Sequence, residues 1–167
     1  MNENEADDIV LALAGEVAIR KGHTNIATQE IAPQARARGV TDEMLSESLQ
    51  FLAEEGYIDQ YRGSDHYLGD GFRLAFRGLE WYATTHVPGY EGIVVDVADR
   101  IVGAGETDNR QITASLGQHG LVVTHILDRL HRTGFIGDVM HVSDGTAYVR
   151  DPRVRLKRLV RQAKSSR

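Results

Sequence analysis

Apolar residues recur at helical intervals at the start of the chain. Ile9, Leu13 and Val17 predict a helix from about Asp8 to Lys21, with Gly22 as its stop. A second helix is predicted over Thr28 to Arg38, ended by Gly39. Thr41 can cap a third, whose apolar face is Leu45, Leu49 and Leu52 and whose first turn sets Asp42 and Glu43 at the positive end of the helix dipole. Gly56 suits the left-handed position that closes this helix. The pattern then changes to two β-rich runs, Tyr57 to Arg62 and Phe72 to Phe76, joined by the polar connector GSDHYLGDG. Arg77 to His86 reads as a fourth helix that packs Leu79, Trp81 or Tyr82 back on the same domain, and Val87, Pro88 and Gly89 read as a linker.

The pattern then repeats. LQFLAEEGYI at residues 49–58 matches LDRLHRTGFI at 127–136, pairing Leu49 with Leu127, Leu52 with Leu130, Gly56 with Gly134 and Ile58 with Ile136 at a constant offset of 78. Upstream, Ile31 and Ile112 pair at an offset of 81, so the copies differ by three residues between their second and third helices. In the second copy Val94, Val97 and Ile101 predict a first helix closed by Gly103 and Gly105. Asp108 can cap a second from Asn109 to Leu116, and a GQHG turn leads to a third from about Leu121 to Thr133. Phe135 to Val142 and Thr146 to Arg150 predict a hairpin with a tight turn at Asp144 and Gly145. The expected fold class is mainly α with small β-hairpins, in two domains at 1–88 and 89–150, followed by a basic helix or tail at 151–167.

Composition narrows the class. With 41% hydrophobic and 26% charged residues the chain belongs with globular proteins, and the absence of cysteine removes disulfides, thiolate metal sites and cysteine nucleophiles. The opening MNENEADDIV has no apolar core of signal-peptide length, and no run of about eighteen apolar residues follows, so a cytoplasmic location with no membrane partner is expected. Charge is divided unevenly. Residues 1–88 hold 7 basic and 15 acidic side chains, residues 89–149 hold 4 and 8, and residues 150–167 hold 8 and 1.

The order helix, helix, turn, helix, hairpin resembles the winged helix-turn-helix. NRQITASLGQHGLVVTHILDRLHRTGFI carries the likeness: Ile112, Leu116 and Gly117 resemble the second helix and its turn, and Val123, Ile126, Leu127 and Leu130 resemble the buried side of a recognition helix. The likeness is to the MarR-like and related bacterial regulators. In the first copy TQEIAPQARARGVTDEMLSESLQFLAEEGYI is similar but carries Pro33 and the extra residues. The resemblance implies tandem winged helices and a DNA-binding, non-enzymatic transcriptional regulator.

In such a fold the third helix enters the major groove. In the first copy its outward residues are Asp42, Glu43, Ser46 and Glu47; carboxylates would be repelled by phosphates, so this face reads as a protein-interaction surface or a solvated one. In the second copy the outward set is His119, Gly120, Leu121, Val122, Thr124, His125 and Arg129, of which Thr124, His125 and Arg129, with Arg132, are candidate contacts to double-stranded DNA. In the tail, Asp151 and Pro152 read as a helix start with proline at the first position. Leu156, Leu159, Val160 and Ala163 form an apolar stripe, and Arg153, Arg155, Lys157, Arg158 and Arg161 are further candidate phosphate contacts, with Lys164 on the same helix. The stripe can dock on the second domain or pair with its twofold mate in a homodimer.

Catalytic and metal patterns are thin. His125, Asp128 and His131 share a helical spacing but have no fourth ligand nearby in sequence, Ser64, Asp65 and His66 are adjacent in a wing rather than arranged as a triad, and GAGETDN lacks the third glycine and the lysine of a phosphate loop. No active site, cofactor or metal is expected. Two functions remain: a DNA-binding protein working through the second winged helix and the basic helix, and an adaptor subunit that binds proteins through the acidic first domain.

Overall fold

The computed structural model describes residues 2–61 and 71–166. The chain is mainly helical with small antiparallel sheets, and divides into two compact units, Met1–Val87 and Pro88–Arg167. The GSDHYLGDG connector, apart from Gly71, and the Ser64, Asp65 and His66 run lie outside the described residues.

In the first unit α1 (Glu3–Lys21) begins five residues before the periodicity suggests, because Asn2 and Glu5 cap it reciprocally: the Asn2 side chain accepts from the Glu5 N–H at 2.9 Å, and Glu5 accepts from the Asn2 N–H at 3.0 Å. Its inner face, Val10, Leu13, Ala14 and Val17, is almost wholly buried. A two-residue strand β1 (Asn25–Ile26) precedes α2 (Thr28–Ala37). Pro33 lies on the exposed side of α2, and Gln29, whose carbonyl it leaves without an intrahelical N–H partner, is exposed as well. α3 (Asp42–Glu54) starts where Thr41 accepts from the Met44 N–H at 3.2 Å, and buries Leu45, Leu49 and Leu52. Strands β2 (Ile58–Gln60) and β3 (Phe72–Leu74) follow, then α4 (Phe76–His86). The sheet order is β1-β3-β2, with Ile26 opposite Phe72 and Ile58 opposite Leu74, so all four of these side chains are buried. Leu79 and Ala83 of α4 are buried, while Trp81 and Tyr82 are half-buried.

The second unit runs α5 (Tyr90–Asp99), continued by a π-helical turn at Arg100–Ala104, then α6 (Asn109–Leu116) and α7 (Gly120–Arg132). Strands β4 (Ile136–His141) and β5 (Ala147–Pro152) and helix α8 (Val154–Ser165) complete it. Asp108 caps α6 by accepting from the Gln111 N–H at 2.9 Å. The residues expected to start the last helix behave otherwise. Pro152 is the final residue of β5, opposite Ile136, and Arg153 is the N-cap of α8. Asp151 takes a positive φ of 55°, so the chain turns there before the helix begins. Proline at the end of a two-stranded edge sacrifices no ladder bond that the sheet needs.

α8 packs on α5 and the π turn, as α4 packs on α1 in the first unit. The offset of 78 holds from α3 to the start of α8: Asp42–Glu54 maps onto Gly120–Arg132, and Phe76 maps onto Val154. Gly56 and Gly134 close the equivalent helices at φ 74° and 75°, and the next residue, Tyr57 or Phe135, donates its N–H back to Leu52 or Leu130 at 2.8 Å in both.

Candidate nucleic-acid interface

α7 is the helix on which base-reading side chains were expected, and its environment removes several of them. Val123, Ile126, Leu127 and Leu130 face the core as expected, but Val122 and His125 join them, at 4% and 3% exposure. Their assignment to the outer face is therefore corrected. α5, α6 and the hairpin all pack on α7, so its buried arc is broader than a two-sided packing would make it. The His125 ring lies near the ring of buried Tyr90, with centroids 6.4 Å apart.

Thr124 is half-buried and already engaged, accepting from the Asn109 side-chain amide at 2.8 Å. Asn109 is 5% exposed and also donates to the Gly145 carbonyl at 3.1 Å and accepts from the Ala147 N–H at 3.0 Å, which ties α6, α7 and the hairpin turn together. Nothing in the sequence marked Asn109 apart from its place just after the Asp108 cap. Arg129 makes a two-pronged contact with Glu91 at 2.9 and 3.3 Å and lies 5.4 Å from the Tyr90 ring centre, which fixes α7 to the start of α5. Asp128 meets His141 of β4 at 2.9 Å, so the spaced histidine and aspartate residues of α7 do not converge with one another.

The basic residues gather elsewhere. Arg153, Arg155, Lys157, Arg158 and Arg161 are all exposed, and α8 carries no carboxylate. Among the described residues none of these five makes an ion pair, whereas Lys164 reaches Asp99 at 2.8 Å. The Arg155 guanidinium lies 5.1 Å from the Phe135 ring centre. A Cβ placed on Gly134 would come 3.3 Å from Arg155 and 3.7 Å from Arg153, so both guanidinium groups border the C-terminal end of α7, where Arg132 is also exposed. At 1.5 Å per residue this end lies roughly 18 Å along the helix from Gly120, so these cations are separated from the end that would read bases. The stripe considered for twofold pairing is largely spent within the unit: Leu156 and Val160 are buried, and Leu159 and Ala163 are half-buried.

The acidic set of the first unit also divides. Asp42 accepts from the Arg36 Nε at 2.7 Å, which leaves that carboxylate neutralised. Ser46 is half-buried, and Glu43 and Glu47 are exposed. Among the described residues no group of three or more histidine, aspartate or glutamate side chains could hold a metal ion, and no helix is long and apolar enough to cross a membrane.

Comparison with protein-family models, with curated proteins and with solved structures gave no match.

Proposed function

We propose that both units are winged helices of the MarR-like kind and that the chain is a non-enzymatic DNA-binding protein, a transcriptional regulator held on double-stranded DNA mainly through α8. The element order supports the fold: helix, short strand, helix, helix and hairpin, with the first short strand pairing beside the last to give β1-β3-β2. In the second unit the place of β1 is taken by a bridge between Asp108 and Tyr148. The observation that carries the function is the set of five exposed cations, Arg153 at the N-cap and Arg155, Lys157, Arg158 and Arg161 on α8, a helix without a single acid.

Cations of this kind neutralise phosphates and release condensed counterions, which gives affinity with little dependence on base sequence. α7 adds few groups for reading bases, because His125 is buried and Thr124 and Arg129 are already bonded inside the unit. Binding is therefore expected to tolerate sequence changes and to weaken steeply as salt rises. Fluorescence anisotropy on a random duplex tests this with Arg155, Lys157, Arg158 and Arg161 changed together to Gln. Four lost phosphate contacts would flatten the slope of log affinity against log salt by up to about 3.6. Substitution is preferable to truncation, which would also uncover the surface beneath Leu156 and Val160. No binding of the unaltered chain to any duplex at low salt would end this reading.

A second reading, an adaptor that binds proteins through the first unit, is favoured by one observation: an acidic groove beside the exposed Phe51 ring between α1 and α3.

A further inference from the structure

That groove encloses about 290 Å³ and is lined by Glu3, Asp7, Met44, Glu47, Ser48 and Phe51, among others. Its wall is apolar at Met44 and at Phe51, a residue 46% exposed. Its rim is acidic, and among the described residues the Glu3, Asp7 and Glu47 carboxylates have no ion-pair partner. An aromatic side chain left open between unneutralised carboxylates matches a ligand with an apolar knob set among cations.

The same chain carries such a surface. Val154, at 65% exposure, is the most exposed large apolar residue described, and Lys157, Arg158 and Arg161 lie on its face of α8 at helical spacings of three, four and seven. This face is opposite the stripe of Leu156 and Val160 that holds α8 on its own unit, so it stays available while the unit is folded. We propose that this face of α8 docks in the α1/α3 groove of a second copy of the chain, with Val154 against Phe51 and Met44 and the cations against Glu3, Asp7 and Glu47.

Each copy owns one groove and one helix, so two copies can exchange both and close as a symmetric dimer. A single helix face buries less than a standard interface, and the two contacts reinforce each other once the first has formed. Most of the attraction is between exposed charges, so the dimer weakens as the screening length shrinks with salt. Lys157, Arg158 and Arg161 are also phosphate contacts in the proposed function, so docking and DNA binding would compete for them; the test of docking uses no nucleic acid, and its outcome stands apart from that of the DNA-binding reading.

Sedimentation equilibrium of the full chain at low salt and high protein concentration should give twice the 18.5 kDa of one chain. A groove variant, Glu47→Lys with Phe51→Ala, and a helix variant, Val154→Ala with Arg158→Glu, should each self-associate at least about tenfold more weakly, a change of about 1.4 kcal/mol. Mixed in equal amounts, the two variants should form one-to-one dimers, because the intact helix of the first meets the intact groove of the second. All four positions are exposed, and circular dichroism melting curves matching the unaltered chain would show that folding is intact. A single-chain mass for the unaltered protein, undiminished association of either variant, or no pairing in the mixture would each overturn the proposal.

Discussion

In the first unit the Arg77 guanidinium lies 4.3 Å from the Tyr57 ring centre; in the second, 78 residues on, Arg155 lies 5.1 Å from Phe135. The preceding backbone joint is the same too, with the Ala75 N–H donating to Tyr57 at 2.9 Å and the Arg153 N–H to Phe135 at 3.0 Å. Beyond these joints the two helices part company. α4 carries Arg77, Glu80 and His86, whereas α8 carries Arg155, Lys157, Arg158, Arg161 and Lys164 with no acid. Positions that close the backbone or fill the core are held by packing, and exposed positions are free to take whatever charge a partner selects. The repeat is therefore to be sought in the joints and the function in the differences.

The sharpest way to break the correspondence is through the core. Ile31 and Ile112 are both fully buried at equivalent places in α2 and α6. Ile31→Ala and Ile112→Ala should each cost about 2–5 kcal/mol, from lost transfer energy and the cavity left behind. Urea unfolding measures this. A cost under about 1 kcal/mol at one site alone would mean that its unit does not pack around that residue as the other does.

A smaller effect concerns a place where the copies solve one packing problem differently. Val10, Leu13, Ala14 and Val17 of α1 match Val94, Val97, Ala98 and Ile101, so Gly15 corresponds to Asp99. A Cβ on Gly15 would clash with the Tyr82 ring, and the residue corresponding to Tyr82 in α8 is Val160. The large ring thus requires the glycine. Gly15→Ala should destabilise by about 1–3 kcal/mol through overpacking, which outweighs the gain of up to about 1 kcal/mol in helix propensity. In a Tyr82→Val background the clash is gone and the same substitution should become stabilising. Thermal melts of the four chains in this cycle would show the change of sign, and its absence would separate Gly15 from Tyr82.

These joints explain which features were legible in the sequence. The helices of both units and the offset between copies were readable because a wide apolar face with a cap and a glycine stop imprints several residues at fixed spacing. β1 was missed because two residues carry no periodicity, and only pairing with β3 makes Asn25 and Ile26 a strand. The start of α8 was misplaced because Asp-Pro serves a turn at a strand end as well as a helix start. On the candidate interface, charge was readable and exposure was not. The cations of α8 are exposed, as a charged helix face should be, but His125 and Val122 went inside because three neighbours cover α7. The Arg129 contact with Glu91 and the Thr124 contact with Asn109 join residues 38 and 15 positions apart, and no local pattern signals them.

The mildest test uses acid. Glu30 and Gln111 are both third residues of their helices, α2 and α6, at the offset of 81. Glu30 accepts from the Lys21 ammonium at 2.7 Å and from the Ala27 N–H at 2.8 Å, and these bonds hold its carboxyl below the ordinary glutamate value. A group with a depressed folded value binds its proton more readily when unfolded, so its contribution is fully present above the unfolded value, about 4.3, and is lost as pH falls through the folded one. Glu30→Gln installs the neutral residue of the other copy and should remove that dependence. The stability gap between the two chains should stay constant from neutral pH down to about pH 5 and then narrow on further acidification. A gap that stayed constant through the acid range would show that Glu30 is held no more tightly in the folded chain than in the unfolded one, and that the charged and neutral versions of this helix start are equivalent.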